Sequence, residues 1–185
     1  NEEHKVSLNT SKEIIKALKK LKINFKILTV NPITFSNDIL KYSRDYICFN
    51  ALHGPFGEDG KIQKILKVNK FRVTHSNQSS SSNCFDKIKS KKIISKFKIS
   101  TPKYDVIKIK DINEGYLKKI KLKFGQFIIK PVSSGSSNGL VIIKSKKDLA
   151  NFLDNFTKYI KNFNPEEKFL IEKYISGREL TVSIL

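Results

Sequence analysis

Methionine is absent from all 185 residues, position 1 included. The final residues, Leu180 to Leu185, read as a strand stopped without a turn. Together these suggest a piece of a longer protein. No run of roughly 18 apolar residues occurs, so no transmembrane helix is expected. The start lacks the basic-then-apolar pattern of a secretory signal, which makes the cytosol the expected compartment. Cysteine is scarce. Cys48 and Cys84 show no paired metal-ligand spacing, and Cys48 lies in the apolar run Tyr46-Ile47-Cys48-Phe49. Both are expected to be reduced, and neither to be a nucleophile. What is present in quantity is 39% hydrophobic residues, enough for one large core or two small ones at this length.

Acidic residues are outnumbered: 36 Lys+Arg against 17 Asp+Glu give a formal charge of +19. Such a charge raises the question of a nucleic-acid or anionic-membrane partner. Arginine is scarce, however, being limited to Arg44, Arg72 and Arg178, and readers of phosphates and base edges lean on its planar fork. The lysines are dispersed among Ile, Asn and Phe, as an AT-rich coding sequence would produce. The charge therefore reads as solvated surface, with no nucleic-acid or membrane partner expected. A polyanionic small molecule such as a nucleoside triphosphate would still benefit from the field.

Ile14, Ile15, Leu18 and Leu21 recur at helical spacing, with Asn9, Thr10 and Ser11 as candidate caps before them. Phe25 to Val30 and Tyr46 to Asn50 are β-like, and Ile62, Ile65 and Leu66 suggest a helix. This alternation favours an open parallel α/β layer, whose ligands gather at the C-terminal ends of strands, where His53 lies. The Ser-rich run from Gln78 to Asn83, giving way to a helix over Phe85 to Phe97, is the best domain boundary. Beyond it strands are expected near Tyr104 to Ile107, Gln126 to Lys130, Leu140 to Lys144, Phe169 to Ile175 and Glu179 to Leu185. Helices are expected near Ile112 to Leu122 and, behind a Ser145-to-Asp148 capping box, over Leu149 to Ile160.

Lys130-Pro131-Val132-Ser133-Ser134-Gly135-Ser136-Ser137-Asn138-Gly139 starts with a cation and continues with small residues whose amides can wrap an anion. A plain hairpin linker would look similar. Glu172 interrupts an apolar strand, where a carboxylate needs a partner. The exocyclic amine of adenine is one candidate, and surface pairing with Lys173 and Arg178 is the other. Glu179, after a Gly turn, could accept from ribose hydroxyls.

These segments, with Asn50-Ala51-Leu52-His53-Gly54-Pro55-Phe56-Gly57-Glu58-Asp59-Gly60, stand in an order and spacing that resembles the D-alanine:D-alanine ligases of the ATP-grasp superfamily, from about Glu3 to Leu185. The resemblance implies a fold of α/β and α+β parts. These would be an N-terminal open parallel, Rossmann-like domain over 1–80, an ATP-grasp central domain over 81–171, and the start of a C-terminal ATP-grasp domain over 172–185. It implies that Glu3 holds the amine of the first D-alanine, that His53 lies near its carboxylate, and that Lys87 and Lys130 grip ATP phosphates. Ser136 would bond the substrate-side glutamate in a phosphate-covering loop that also includes Ser137, with Gly135 and Gly139 as its flexible points. Glu172, Lys173 and Ile175 would meet the adenine edge, the last two through backbone atoms, and Glu179 the ribose. The implied reaction joins two D-alanines for peptidoglycan synthesis through an acyl phosphate made with ATP.

The implied cofactor is Mg²⁺ or Mn²⁺. Its Asp, Glu and Asn ligands, and a transition-state arginine, are expected beyond Leu185, so none is assigned within the chain and no activity is expected from it alone. The resemblance is also compatible with a homodimer. Ser134 stands where the family often has glutamate, and His75 and Asn77 replace glycines, so the packing of the first two domains is expected to differ. Two alternatives remain at this point. One is a ligase joining D-alanine to D-lactate or D-serine; the other is a basic nucleic-acid-binding module.

Overall fold

In the computed structural model the described residues run from Glu2 to Val182. They form two compact units, Asn1–Ser90 with Ser133–Ser136, and Lys91–Val132 with Ser137–Leu185.

The first unit opens on helix α1, Glu2–Lys20. It starts well before the caps read at Asn9 to Ser11. Its inward stripe has two chemistries: Glu3, Ser7 and Thr10 along the first half, then Ile14, Ile15 and Leu18. Apolar periodicity detects only the second half. Ser7 and Thr10 are free to sit inside the helix because their hydroxyls are used there, Ser7 Oγ donating to the Glu3 carbonyl (3.0 Å) and Thr10 Oγ1 bonding the His53 ring (2.8 Å).

Strand β1, Ile47–Cys48, pairs in parallel with β2, Arg72–Val73, across helix α3, Lys61–Val68. Behind them Phe35, Ile39, Ile62, Leu66 and Phe71 form a small core. Leu28 and Val30 pack against that core, but residues 25–30 are not a strand. Alternating side chains suit a strand, yet the backbone forms one only beside a pairing edge. No described strand pairs with these residues. The Ser-rich run is likewise no linker. It forms helix α4, Gln78–Phe85, because the Asn77 side chain accepts from Ser80 N at 2.9 Å. Helix α5, Lys87–Lys96, follows. Two of the three arginines serve this unit: Arg72 donates to the Asp45 carbonyl, and Arg44 lies 4.2 Å from the Phe71 ring centroid.

The second unit is a four-stranded antiparallel sheet in the order β3 (Tyr104–Lys108), β6 (Lys168–Lys173), β4 (Phe127–Pro131), β5 (Val141–Ile143). One face carries Phe127, Ile129, Ile143, Phe169 and Ile171, packed against Leu117, Ile120 and Phe124 of α6 (Glu114–Phe124) and Leu149 and Phe152 of α7 (Lys146–Asp154). The capping box is present: Ser145 Oγ accepts from Asp148 N, and the Asp148 carboxylate accepts from the Ser145 amide. The Ser145 and Lys144 amides hold the Asp148 carboxyl below its ordinary value. The single helix read over Leu149 to Ile160 breaks at Asn155, after which α8 covers Phe156–Ile160. Residues 179–182 are not a strand, and 183–185 lie outside the described residues. The structure as described is a mixed α/β one.

Two substitutions test these contacts in denaturant titrations followed by far-UV circular dichroism. Ser145→Ala lowers the unfolding free energy by about 1 kcal/mol, and Leu117→Ala, at a fully buried position, by about 2–5 kcal/mol. An unchanged midpoint for Ser145→Ala contradicts the capping account.

Candidate functional site

Within the first unit the polar half of α1 meets the turn-rich segment after β1. The Glu3 carboxylate is buried against Gly54 and Gly135: a β-carbon would stand 1.6 Å from Glu3 Oε2 at Gly54 and 2.9 Å from Glu3 Oε1 at Gly135. Only glycine lets the backbone approach this closely, and Gly54 also has φ +77°. Next to Gly54, His53 is held on three sides. Its amide donates to Ser7 Oγ (2.9 Å), Nε2 pairs with Thr10 Oγ1 (2.8 Å), and Nδ1 lies 3.5 Å from Glu58 Oε1. Lys87, at the start of α5, donates to the Ser134 carbonyl at 2.6 Å. Because that acceptor is backbone, serine serves there as well as the glutamate common in the family. His75 packs edge-on to Phe49, and Asn77 caps α4, so both residues that replace family glycines have local roles.

In the second unit, the sheet face away from the helices carries a charged cluster. β-Pairing aligns Glu172 with Tyr104 on one side and Ile128 on the other, so Lys130, two residues along β4, sits diagonally to Glu172 on the same face. Glu172 Oε1 accepts from Lys130 Nζ at 3.1 Å, and Oε2 accepts from Lys91 Nζ at 2.8 Å. Lys91 also donates to the Pro102 carbonyl and lies 5.0 Å from the Tyr104 ring centroid. Glu172 and Lys91 are nearly buried, their side chains 10% exposed; that of Lys130 is 20% exposed. The carboxylate interrupting the apolar strand thus has two lysine partners, neither of them Lys173 or Arg178. Two cations against one anion leave one positive charge, with its open side at Lys130. That arrangement suits an anionic ligand.

From Lys130 the chain enters the glycine- and serine-rich loop. Ser136 (φ +49°) and Ser137 (φ +56°) are exposed and left-handed. Gly139 (φ +70°) is packed rather than loose, since a β-carbon there would stand 2.7 Å from Phe163 Cζ. Lys173 ends β6, its amide given to the Lys103 carbonyl. Ile175 and Glu179 are exposed beyond it. The structure therefore brings Glu3 together with His53, and Lys130 with Glu172. Ser7, Thr10, Glu58 and Lys91 went unassigned from sequence. Lys91 had a signal, standing one helical turn after Lys87, and Glu58 stands within the His53 segment itself; Ser7 and Thr10 had none without the helix. Among the described residues no group of three or more His, Cys, Asp or Glu could hold a metal, so no step below runs through one.

These features define a mixed α/β protein with an anion-accepting sheet face. The family model described as the D-ala D-ala ligase C-terminus matches residues 93–185, and the chain belongs to the D-alanine–D-alanine ligase family. A curated D-alanine–D-alanine ligase of Pelagibacter ubique is 41% identical over 188 residues, covering 100% of this chain and 58% of that protein. The crystal structure of the Bacillus anthracis enzyme superposes with a TM-score of 0.75 at 32% identity, covering 96% of this chain and 55% of that one. The same enzyme complexed with ATP gives 0.71 at 31% identity, covering 96% and 56%. The chain spans somewhat more than half the length of these relatives.

Removing the shared carboxylate is expected to be costly. Glu172→Ala leaves two lysines facing each other out of water and lowers stability by about 3–5 kcal/mol, more than Lys130→Ala does at the more exposed partner. Equal, small losses for the two variants in urea titrations contradict the cluster's role.

Proposed function

We propose that this chain carries the ATP-binding part and the first-substrate part of a D-alanine:D-alanine ligase. The observation that carries the reading is the Lys91–Glu172–Lys130 cluster, with its excess positive charge, at the root of the 130–139 loop. The ATP complex of the Bacillus anthracis relative supports it. Residues 1–80 are then a Rossmann-like substrate domain, 81–171 an ATP-grasp central domain, and 172–185 the start of a C-terminal ATP-grasp domain.

In this reading the phosphates are held by Lys130, Lys87 and the loop amides around Ser136 and Ser137, and adenosine along Glu172, Lys173, Ile175 and Glu179. Glu172 has a second duty, fixing Lys130 and Lys91. In the first unit Glu3 receives the amine of the first D-alanine, and His53, steadied by Thr10 and Glu58, faces its carboxylate. The whole protein would transfer the γ-phosphoryl group of ATP to that carboxylate. The amine of a second D-alanine would then displace phosphate and form the peptide bond, in the bacterial cytoplasm, for peptidoglycan synthesis. Phosphoryl transfer depends on neutralised oxygens and positioning more than on covalent help, which matches a site built from lysines and amides.

The test has two arms. The chain binds a non-hydrolysable ATP analogue saturably, and Lys130→Ala abolishes binding in calorimetric titrations. The complete protein releases phosphate from ATP when given D-alanine but not L-alanine, and Glu3→Gln removes that dependence. Tight, salt-sensitive binding to duplex DNA without nucleotide binding contradicts the proposal.

A further inference from the structure

The far end of the glycine- and serine-rich loop is fastened by an aromatic clamp. Tyr159 Oη donates to the Gly139 carbonyl at 2.5 Å, and the Phe163 ring lies so close to the Gly139 α-carbon that no side chain fits between them. Around Gly139, Leu140 N donates to the Ser137 carbonyl at 3.1 Å and closes a turn that includes the left-handed Ser137. A left-handed residue other than glycine is strained and persists where its surroundings dictate it.

The clamp is referred back to the sheet. The Tyr159 and Phe163 rings lie 5.2 Å apart, and Phe163 meets Phe169 edge-on at 5.0 Å. Phe169 pairs with Pro131, the residue after Lys130, across β6 and β4. Pro131 itself lies beside Phe163 against Gly139, its Cγ 2.9 Å from where a β-carbon would stand. Both flanks of the turn therefore refer to the strand that carries Lys130. Burial pushes the Tyr159 phenol above its ordinary value, so the hydroxyl stays a donor through the physiological range.

We propose that Tyr159, through the Gly139 carbonyl, and Phe163, against its α-carbon, are positioning residues that set the Ser137–Gly139 turn for phosphate binding. The inference rests on the nucleotide reading above. A purely structural aromatic cluster would support the fold without favouring any part of a ligand, and that difference is measurable.

Tyr159→Phe keeps the ring and removes only the hydroxyl. Calorimetric titrations with adenosine 5′-(β,γ-imido)triphosphate and with adenosine are then compared with the unaltered chain. The triphosphate weakens about five- to tenfold, the effect of one hydrogen bond, while adenosine binds as before and the thermal midpoint moves by no more than about 2–4 °C. Phe163→Leu gives the same phosphate-selective loss and decides the matter if Tyr159→Phe does not fold. Triphosphate affinity equal to that of the unaltered chain, or parallel losses for both ligands, overturns the positioning role while leaving the nucleotide reading intact. An unaltered chain that binds neither ligand overturns both.

Discussion

The second unit depends on a carboxylate in the middle of an apolar sheet. Glu172 stands between Ile171 and Lys173 on a strand with neighbours on both sides, where an unpaired charge would be severely destabilising. Lysines from two different elements, α5 and β4, relieve it. The consequence is an arrangement as well as a neutralisation: the middle of α5, the strand entering the loop and the strand that carries Glu172 are tied at one point. Such clusters contribute little net stability compared with apolar packing, which makes function the better reason for keeping one here.

Around that point the sheet separates two tasks. One face is apolar over its centre, with Asp105 and Lys173 at its margin, and packs against α6 and α7. The other carries Tyr104, Lys130 and Glu172 at positions set by strand register. The loop between β4 and β5 takes its small residues from close packing as much as from flexibility. Gly139 is hemmed in by Phe163 and Pro131, and Gly135 by the Glu3 carboxylate. At these glycines fit replaces mobility, so the loop's amides are presented in a set conformation.

Much of this was legible in the sequence, for identifiable reasons. The strand at Phe127–Pro131, the helix at Glu114–Phe124 and the Ser145–Asp148 box have strong local signals that tertiary packing did not override. The first half of α1 was hidden because its inward stripe is polar, and periodicity counts apolar residues. Residues 25–30 showed the opposite failure, with a strand pattern but no strand paired beside them among the described residues. Glu172 announced itself as an oddity, yet its partners could not be read, because Lys91 and Lys130 are 81 and 42 residues away in sequence. Contacts of that range come from topology. The family resemblance identified Glu3 and His53 as a pair, and the structure adds how they are held, through Gly54, Ser7 and Thr10.

The central claim is that the charged sheet face and its loop form a nucleotide site. Its most direct measurement is amide hydrogen exchange of the chain with and without a non-hydrolysable ATP analogue. The account predicts slowed exchange concentrated in residues 127–139 and 168–175, with little change over the dispersed lysines elsewhere. Protection that is absent there, or spread evenly over the basic surface, would contradict it.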